Sequence, residues 1–174
     1  LADGKPALGR AGVAIVNTHF PFAQGYQLAT ALADTVKREK EYGTGASLDW
    51  HFGVNGLVAS LENMRKHTYS VSEGDLYSRP LRLQRGDGWR SWPVFEELVN
   101  AFQVGEAWRG RRSKLKALQT ALREGKAHTR AFLANYRLPK LPEVPDNISQ
   151  AGTEGWAADR CVYFDALEAL DFYI

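Results

Sequence analysis

The sequence predicts an α+β protein, on three observations. Residues 11–17 form an uncharged run of strand length, residues 47–54 alternate apolar with polar side chains, and past Trp92 apolar residues recur at three- and four-residue spacing. Strands therefore belong to the first half, and helices dominate the second. At 174 residues the chain suits one ordinary domain or a compact half-domain with an appendage. Hydrophobic residues at 44% and charged residues at 24% are near globular averages, which disfavours wholesale disorder and a coiled coil.

In Ala11-Gly12-Val13-Ala14-Ile15-Val16-Asn17 apolar positions follow one another directly, which suits a central strand covered on both faces. Pro21 fits the first turn of a helix over 21–42, with Phe22, Tyr26, Ala29, Ala33 and Val36 on its apolar face. Gln27, Asp34, Lys37, Arg38 and Glu41 mark the outer face, and Gly43-Thr44-Gly45 supplies the stop. Leu48, Trp50, Phe52 and Val54 then alternate with Ser47, Asp49, His51 and Gly53, a strand with one covered and one open face. Both strands are expected in one sheet, with the 21–42 helix on the Leu48, Trp50 and Phe52 side. Two further strands are expected at 69–71 and 77–83, around the turn-prone Ser72-Glu73-Gly74-Asp75, and Arg85-Gly86-Asp87-Gly88 reads as a loop.

The second half holds helical patterns at Val94, Phe95, Leu98, Val99 and Phe102, at Leu115, Leu118 and Leu122, and at Phe132, Leu133 and Tyr136. Residues 138–145 contain three prolines in eight and run into a polar stretch ending near Gly155, a linker or mobile-loop pattern. Phe164, Leu167, Leu170 and Ile174 share a helical face that should dock back on the body. The expected division is a sheet-bearing part at 1–90 and a helical extension at 91–174.

Several function classes are disfavoured. There is no C-x-x-C pair, H-E-x-x-H, G-x-S-x-G, P-loop, or G-x-G-x-x-G after a strand. His19, His51, His67 and His128 are scattered, and a zinc site needs at least three close ligands. No apolar run approaches the roughly 20 residues of a membrane span. The lone Cys161 and the lack of a leader-like opening at Leu1 point to a cytoplasmic, reducing setting. With 22 Lys+Arg against 20 Asp+Glu, the net charge of +2 does not demand nucleic acid.

Three local features carry candidate chemistry. Asp49 and His51 point to the same open strand face, for which a solvated or domain-facing surface is the simpler reading over a catalytic pair. Arg109, Arg111, Arg112, Lys114 and Lys116 lie within eight residues that hold no acid, with Ser113 as the expected N-cap. Cations at a helix N-terminus are disfavoured by the macrodipole, so the cluster is expected to seek an anion. That anion is a neighbouring carboxylate such as Glu106, or a phosphate of RNA. Among the five tryptophans, Trp50, Trp92 and Trp108 read as core.

The run Arg10-Ala11-Gly12-Val13-Ala14-Ile15-Val16, then Phe20-Pro21-Phe22, Leu28, Ala29, Lys37 and Ser47-Leu48-Asp49-Trp50-His51 resembles the second palm domain of the large polymerase/cyclase-like subunit of type III CRISPR effector complexes. Arg79-Pro80-Leu81-Arg82-Leu83, Arg112-Ser113-Lys114-Leu115 and 164–172 are similar to the continuation in stand-alone bacterial relatives. The resemblance implies the second half of a ferredoxin-like palm with helices on one face. In active relatives a G-G-D-D hairpin holds two divalent ions that join ATP into cyclic oligoadenylate. That hairpin would precede Leu1, so the resemblance implies no catalytic or metal residue and no cofactor in this chain. Mg²⁺ or Mn²⁺ and ATP would go to an upstream part. It implies nucleotide contacts at Asn17, His19 and Lys37, although relatives carry His-His-Lys where this chain has Asn17-Thr18-His19. A missing N-terminal palm segment or partner chain is implied, with RNA as a further partner and no membrane. The alternative is a catalytically inactive palm that acts as a scaffold or an RNA-facing module.

Overall fold

The computed structural model describes residues 9–38, 45–53, 60–84, 86 and 88–172. The chain is α+β, with two small mixed sheets and a mostly helical C-terminal part. Strand β1 (Arg10–Val16), helix α1 (Phe22–Arg38) and strand β2 (Ser47–Gly53) form a β-α-β unit, and β1 and β2 are direct parallel neighbours through seven registered pairs. In a ferredoxin-like sheet the β-α-β units are split by an intervening strand. Here β1 and β2 pair directly with no strand between them, and β1 is one edge of the sheet among the described residues. Helix α2 (Leu61–Tyr69) follows, capped by Ser60, whose side chain accepts from the Asn63 N–H. The hairpin of β3 (Ser70–Val71) and β4 (Gly74–Asp75) comes next, then β5 (Leu81–Arg82), antiparallel to β2.

Helices α3 (Trp92–Val104), α4 (Arg112–Glu124) and α5 (Lys126–Asn135) occupy the stretches where the helical spacing was found. Pro93 lies in the first turn of α3. Gly125 alone joins α4 to α5 at φ +103°, a backbone region that disfavours side chains. A short helix α6 (Ala151–Glu154), the hairpin of β6 (Trp156–Ala157) and β7 (Arg160–Cys161), and helix α7 (Phe164–Ala169) complete the chain. The sheet orders are β1-β2-β5 and β3-β4-β7-β6.

The strands differ from expectation in instructive ways. β1 is an edge strand among the described residues, with Val13 42% and Ile15 36% exposed, so it is not the doubly covered central strand its composition suggests. β2 is central instead and buried on both faces, Asp49 and His51 included. Helix α1 lies on the Gly12 and Asp49 side: a Cβ on Gly12 would come within 2.3 Å of the Ala29 carbonyl oxygen and 2.4 Å of the Ala33 nitrogen. This overturns the expected placement of α1 over Trp50. The other face belongs to α3, where Trp92 and Phe95 meet Trp50 edge-on at centroid separations of 6.2 and 5.2 Å. Alternation reports that the two faces differ in polarity, but not which face a later helix will cover.

On α1 the buried residues are Leu28, Leu32 and Val36, while Phe22 and Tyr26 of the expected apolar stripe are exposed. Residues 39–44, with Glu41 and most of the expected stop, lie outside the described residues, as do Val54, Asp87 and Ile174. Of the strands expected at 69–71 and 77–83, Tyr69 instead closes α2, and the remaining pieces pair in different sheets. The expected turn at 72–75 contributes strand β4.

The proline-rich 138–145 stretch is fastened to the body and does not act as a linker. Leu141 is buried and its N–H donates to the Gly152 carbonyl at 2.7 Å, and the Tyr163 hydroxyl donates to the Pro142 carbonyl at 2.9 Å. Prolines remove N–H groups that would need partners and leave the carbonyls free to accept. Phe164 and Leu167 are buried, so α7 docks as expected. No helix among the described residues is long and apolar enough to cross a membrane.

Candidate functional site

Beneath α1 and α2 the central strand carries a buried ionic layer. Arg65 of α2 donates from Nη2 to Asp49 Oδ1 at 2.6 Å and to the Trp50 carbonyl at 3.3 Å. Burial raises the Asp49 carboxyl above its ordinary range, against the pull of the Arg65 hydrogen bond and charge. On the same face burial, then the Arg79 and Arg65 charges, lowers His51 to about 4. Its imidazole is therefore neutral near pH 7, with a buried Nδ1 that finds no hydrogen-bond partner among the described residues. Asp49 and His51 are thus neither a solvated face nor an accessible acid–base couple.

Arg79 organises the layer behind them. It is fully buried; its Nη1 donates to the Trp50 carbonyl at 2.9 Å and its Nη2 to Glu168 Oε2 at 3.2 Å. Its guanidinium also sits over the Trp50 and Tyr69 rings at 5.1 and 5.0 Å. Burial opposes its charge, but Asp165, Tyr69 and Glu168 overcome that and hold it protonated. Asp165 Oδ2 accepts from the Ser78 N–H at 2.7 Å, the Ser78 hydroxyl at 2.8 Å and the Arg79 N–H at 3.2 Å. These bonds tie α7 to residues 78–79. Each carboxylate is matched to a guanidinium or backbone donor, and among the described residues no three His, Cys, Asp or Glu side chains gather as a metal site. Sequence reasoning missed Arg65, Arg79 and Asp165, since partners up to 89 residues apart leave no local signal.

The residues proposed for nucleotide contact are not brought together. Asn17 and His19 precede α1, where the His19 N–H donates to Asn17 Oδ1 at 3.1 Å. Lys37 is in the last turn and pairs with Asp34 at 2.8 Å. The fifteen residue steps from Phe22 to Lys37 span about 22 Å of helix, too far for one nucleotide to bridge by contact with both ends.

The basic segment is likewise divided. The N-cap is Arg111, not Ser113, which lies in the first turn of α4. The Lys114 side chain turns inward, donating to the Ala107 carbonyl at 2.9 Å with its ammonium 4.6 Å from the centre of the Trp108 ring, so it is removed from any phosphate surface. Burial, then the Arg111 charge, pushes its pKa down. Lys116 and Arg112 both pair with Asp171. The anion that the α4 N-terminus calls for thus comes from beyond α7, not from Glu106. Arg109 and Arg111 remain exposed, with no ion pair among the described residues.

The edge of β1, which pairs with no further strand among the described residues, is a different kind of site. The Ser47 N–H donates to the Gly9 carbonyl at 3.0 Å, which fixes the phase of the ladder. The backbone groups of Ala11, Val13 and Ile15 therefore face β2, and those of Arg10, Gly12, Ala14 and Val16 face outward. Residues 11–16 carry no charge and no proline, so the usual protections of an edge strand are missing. Exposed apolar side chains flank the edge, with Val13 and Ile15 on one face and Phe22 and Tyr26 at the start of α1, the helix that covers the other. Comparison with protein-family models and with curated proteins returns no match.

Proposed function

We propose that this chain is a strand-accepting scaffold, the sheet-completing portion of a palm-type, cyclase-like protein of prokaryotic CRISPR-type defence. In this reading, joining ATP with Mg²⁺ or Mn²⁺ belongs to a partner segment that carries the metal-binding aspartates. The observation that supports it is the β1 edge, a strand with the composition of a sheet interior and a row of outward-facing backbone groups. A strand added outside β1 would give those groups partners. Its alternating side chains would meet Val13 and Ile15 on one face and α1 on the other. The guanidinium-bound carboxylates of the buried layer favour a structural role for the acids of this chain. Arg109 and Arg111, the free cations of the basic segment, are the groups through which RNA would be met.

The test compares the 174-residue chain with the longer product of the reading frame upstream of Leu1, which is expected to encode a G-G-D-D hairpin. In the chain alone the amides of Gly12, Ala14 and Val16 should exchange rapidly with deuterium and ATP should remain unconverted in Mg²⁺ or Mn²⁺. In the longer protein the same amides should be protected. Slow exchange at these amides in the monomeric chain alone would overturn the strand-accepting reading. Conversion of ATP by the chain alone, surviving Asp49→Asn, would overturn the assignment of the chemistry elsewhere.

A further inference from the structure

A cavity of about 360 Å³ lies where the end of α3, the turn before α4, the first turns of α4 and the end of α7 meet. Small-molecule sites begin at about this size. Its lining has two chemically distinct parts. Phe102, Trp108, Leu115, Leu167 and Leu170 are apolar, with Leu115 and Leu170 only half-buried. Arg111, Arg112, Lys116 and Asp171 bring three cations and one carboxylate, so positive charge is in surplus by two. The rim already holds a carboxylate: Lys116 donates to Asp171 Oδ2, and Asp171 Oδ1 lies 3.9 Å from Arg112 Nη2. The hold is loose, since the Arg112 and Lys116 side chains stay 80% and 50% exposed and exposed ion pairs contribute little. Arg111 has no ion pair among the described residues.

The two parts together narrow the ligand class. A cation would meet the surplus positive charge, and an uncharged apolar molecule would strip water from the guanidinium groups without replacing it. A small hydrophilic anion such as inorganic phosphate would leave Leu115 and Leu170 in water. A sugar would bring no counter-charge to the cations. We propose that this cavity binds a small amphipathic anion, a carboxylate or phosphate on an apolar body, in competition with Asp171. Arg111 and Arg112 hold the head group, whose paired oxygens match a guanidinium fork. The body covers Leu115 and Leu170 and removes their apolar surface from water. Asp171 is the internal stand-in that partly neutralises the rim when no ligand is bound. The assignment does not depend on the strand-accepting role of β1. It shares Arg111 with the RNA-facing group, so its test contains no RNA.

The experiment titrates the ¹⁵N-labelled chain with octanoate and octyl phosphate to roughly 10 mM, with acetate, octanol and octylammonium as controls. The amide signals of residues 110–116, Leu170 and Asp171 should move and saturate, while those of β1 and α1 stay in place. Octanoate should bind at least about tenfold more tightly than acetate, since each buried methylene strengthens binding by up to about fourfold. Arg111→Gln combined with Arg112→Gln changes exposed side chains and should weaken binding at least about fivefold. Asp171→Asn removes the competitor and should tighten binding at least about twofold. Gln119→Glu adds a negative charge to the lining at constant size and should weaken binding, whereas Gln27→Glu on the exposed face of α1 should not. Tighter binding of octyl phosphate assigns the head group as a phosphate, and equal or tighter binding of octanoate assigns a carboxylate. Acetate, octanol or octylammonium binding as tightly as octanoate, or an Asp171→Asn variant that binds no more tightly, would overturn the proposal. So would the lack of a saturable response to either anion.

Discussion

Val13 and Trp50 are register partners in the parallel pairing of β1 with β2, yet Val13 is 42% exposed and Trp50 only 4%. The core ends between them. Trp92 and Phe95 of α3 pack on Trp50, whereas Val13 and Ile15 of β1 stay 42% and 36% exposed.

The phase of the β1 ladder can be tested with proline. Ala14→Pro removes an outward N–H and should be tolerated, as at other edge strands, whereas Val13→Pro removes an N–H that faces β2. In urea melts Val13→Pro should be the less stable by about 2 kcal/mol or more, the lost ladder bond and ring clash together. Equal losses would refute the assigned phase. Ala14→Pro should also block strand addition at this edge.

Gly12→Ala should destabilise the chain by about 1–3 kcal/mol, because the new methyl meets the Ala29 and Ala33 backbone and cannot rotate away. Helix α1 must lift to admit it. Hydrogen exchange should quicken in α1 before it does in α3, and an unchanged melting midpoint would contradict the close approach of α1 to β1.

The Asp49–Arg65 pair is buried, so removing one partner should cost more than removing both. Arg65→Met alone leaves the Asp49 carboxylate without its cation and should cost about 3–5 kcal/mol in denaturant melts. Adding Asp49→Leu should recover a substantial part of that loss. Strictly additive losses would show that the two residues do not act as a pair.

His51 sets a pH dependence. It titrates near 6.5 when unfolded and near 4 in the fold, so between these values the unfolded chain holds the extra proton and stability rises with pH. The contribution is complete above the unfolded value and is lost as pH falls toward the folded one, about 3 kcal/mol in all. Burial shifts Asp49 and Glu168 upward, which gives a slope of opposite sign lower in the range. The wild type should therefore be compared with His51→Gln, whose stability should vary less between those two pH values. Parallel curves would contradict a buried neutral imidazole.

RNA binding through the basic segment should depend weakly on salt. Two free cations on a single strand give a log–log slope of about −1.4, against about −3.5 for five cations acting together. Asp171→Asn frees Arg112 and Lys116 and should steepen the slope to about −2.8. Fluorescence anisotropy with labelled oligo-U over roughly 50 to 200 mM salt decides between these values, and a slope unaffected by Asp171→Asn would refute the internal clamp.

Local periodicity determined a good deal of this protein. The strands around Val13 and Trp50, the helix between them and the three helices from Trp92 to Asn135 follow from spacings within one turn or one pleat, and the α+β class follows from their order. Helix α2 was not expected, although Ser60 before Leu61-Glu62-Asn63 is a capping pattern that could have revealed it. Tertiary structure decided which faces are covered. Alternation marked Asp49 and His51 as polar, but α1 and Arg65 made them buried, and composition marked β1 as interior while the sheet order left it at the edge. The basic segment shows the same division: its charges were legible in the sequence, but their partners, Ala107, Trp108 and Asp171, were set by how α4 packs beside α7 and the end of α3. Pattern is a property of neighbours along the chain, while burial and ion pairing depend on groups that only folding brings within a few ångströms.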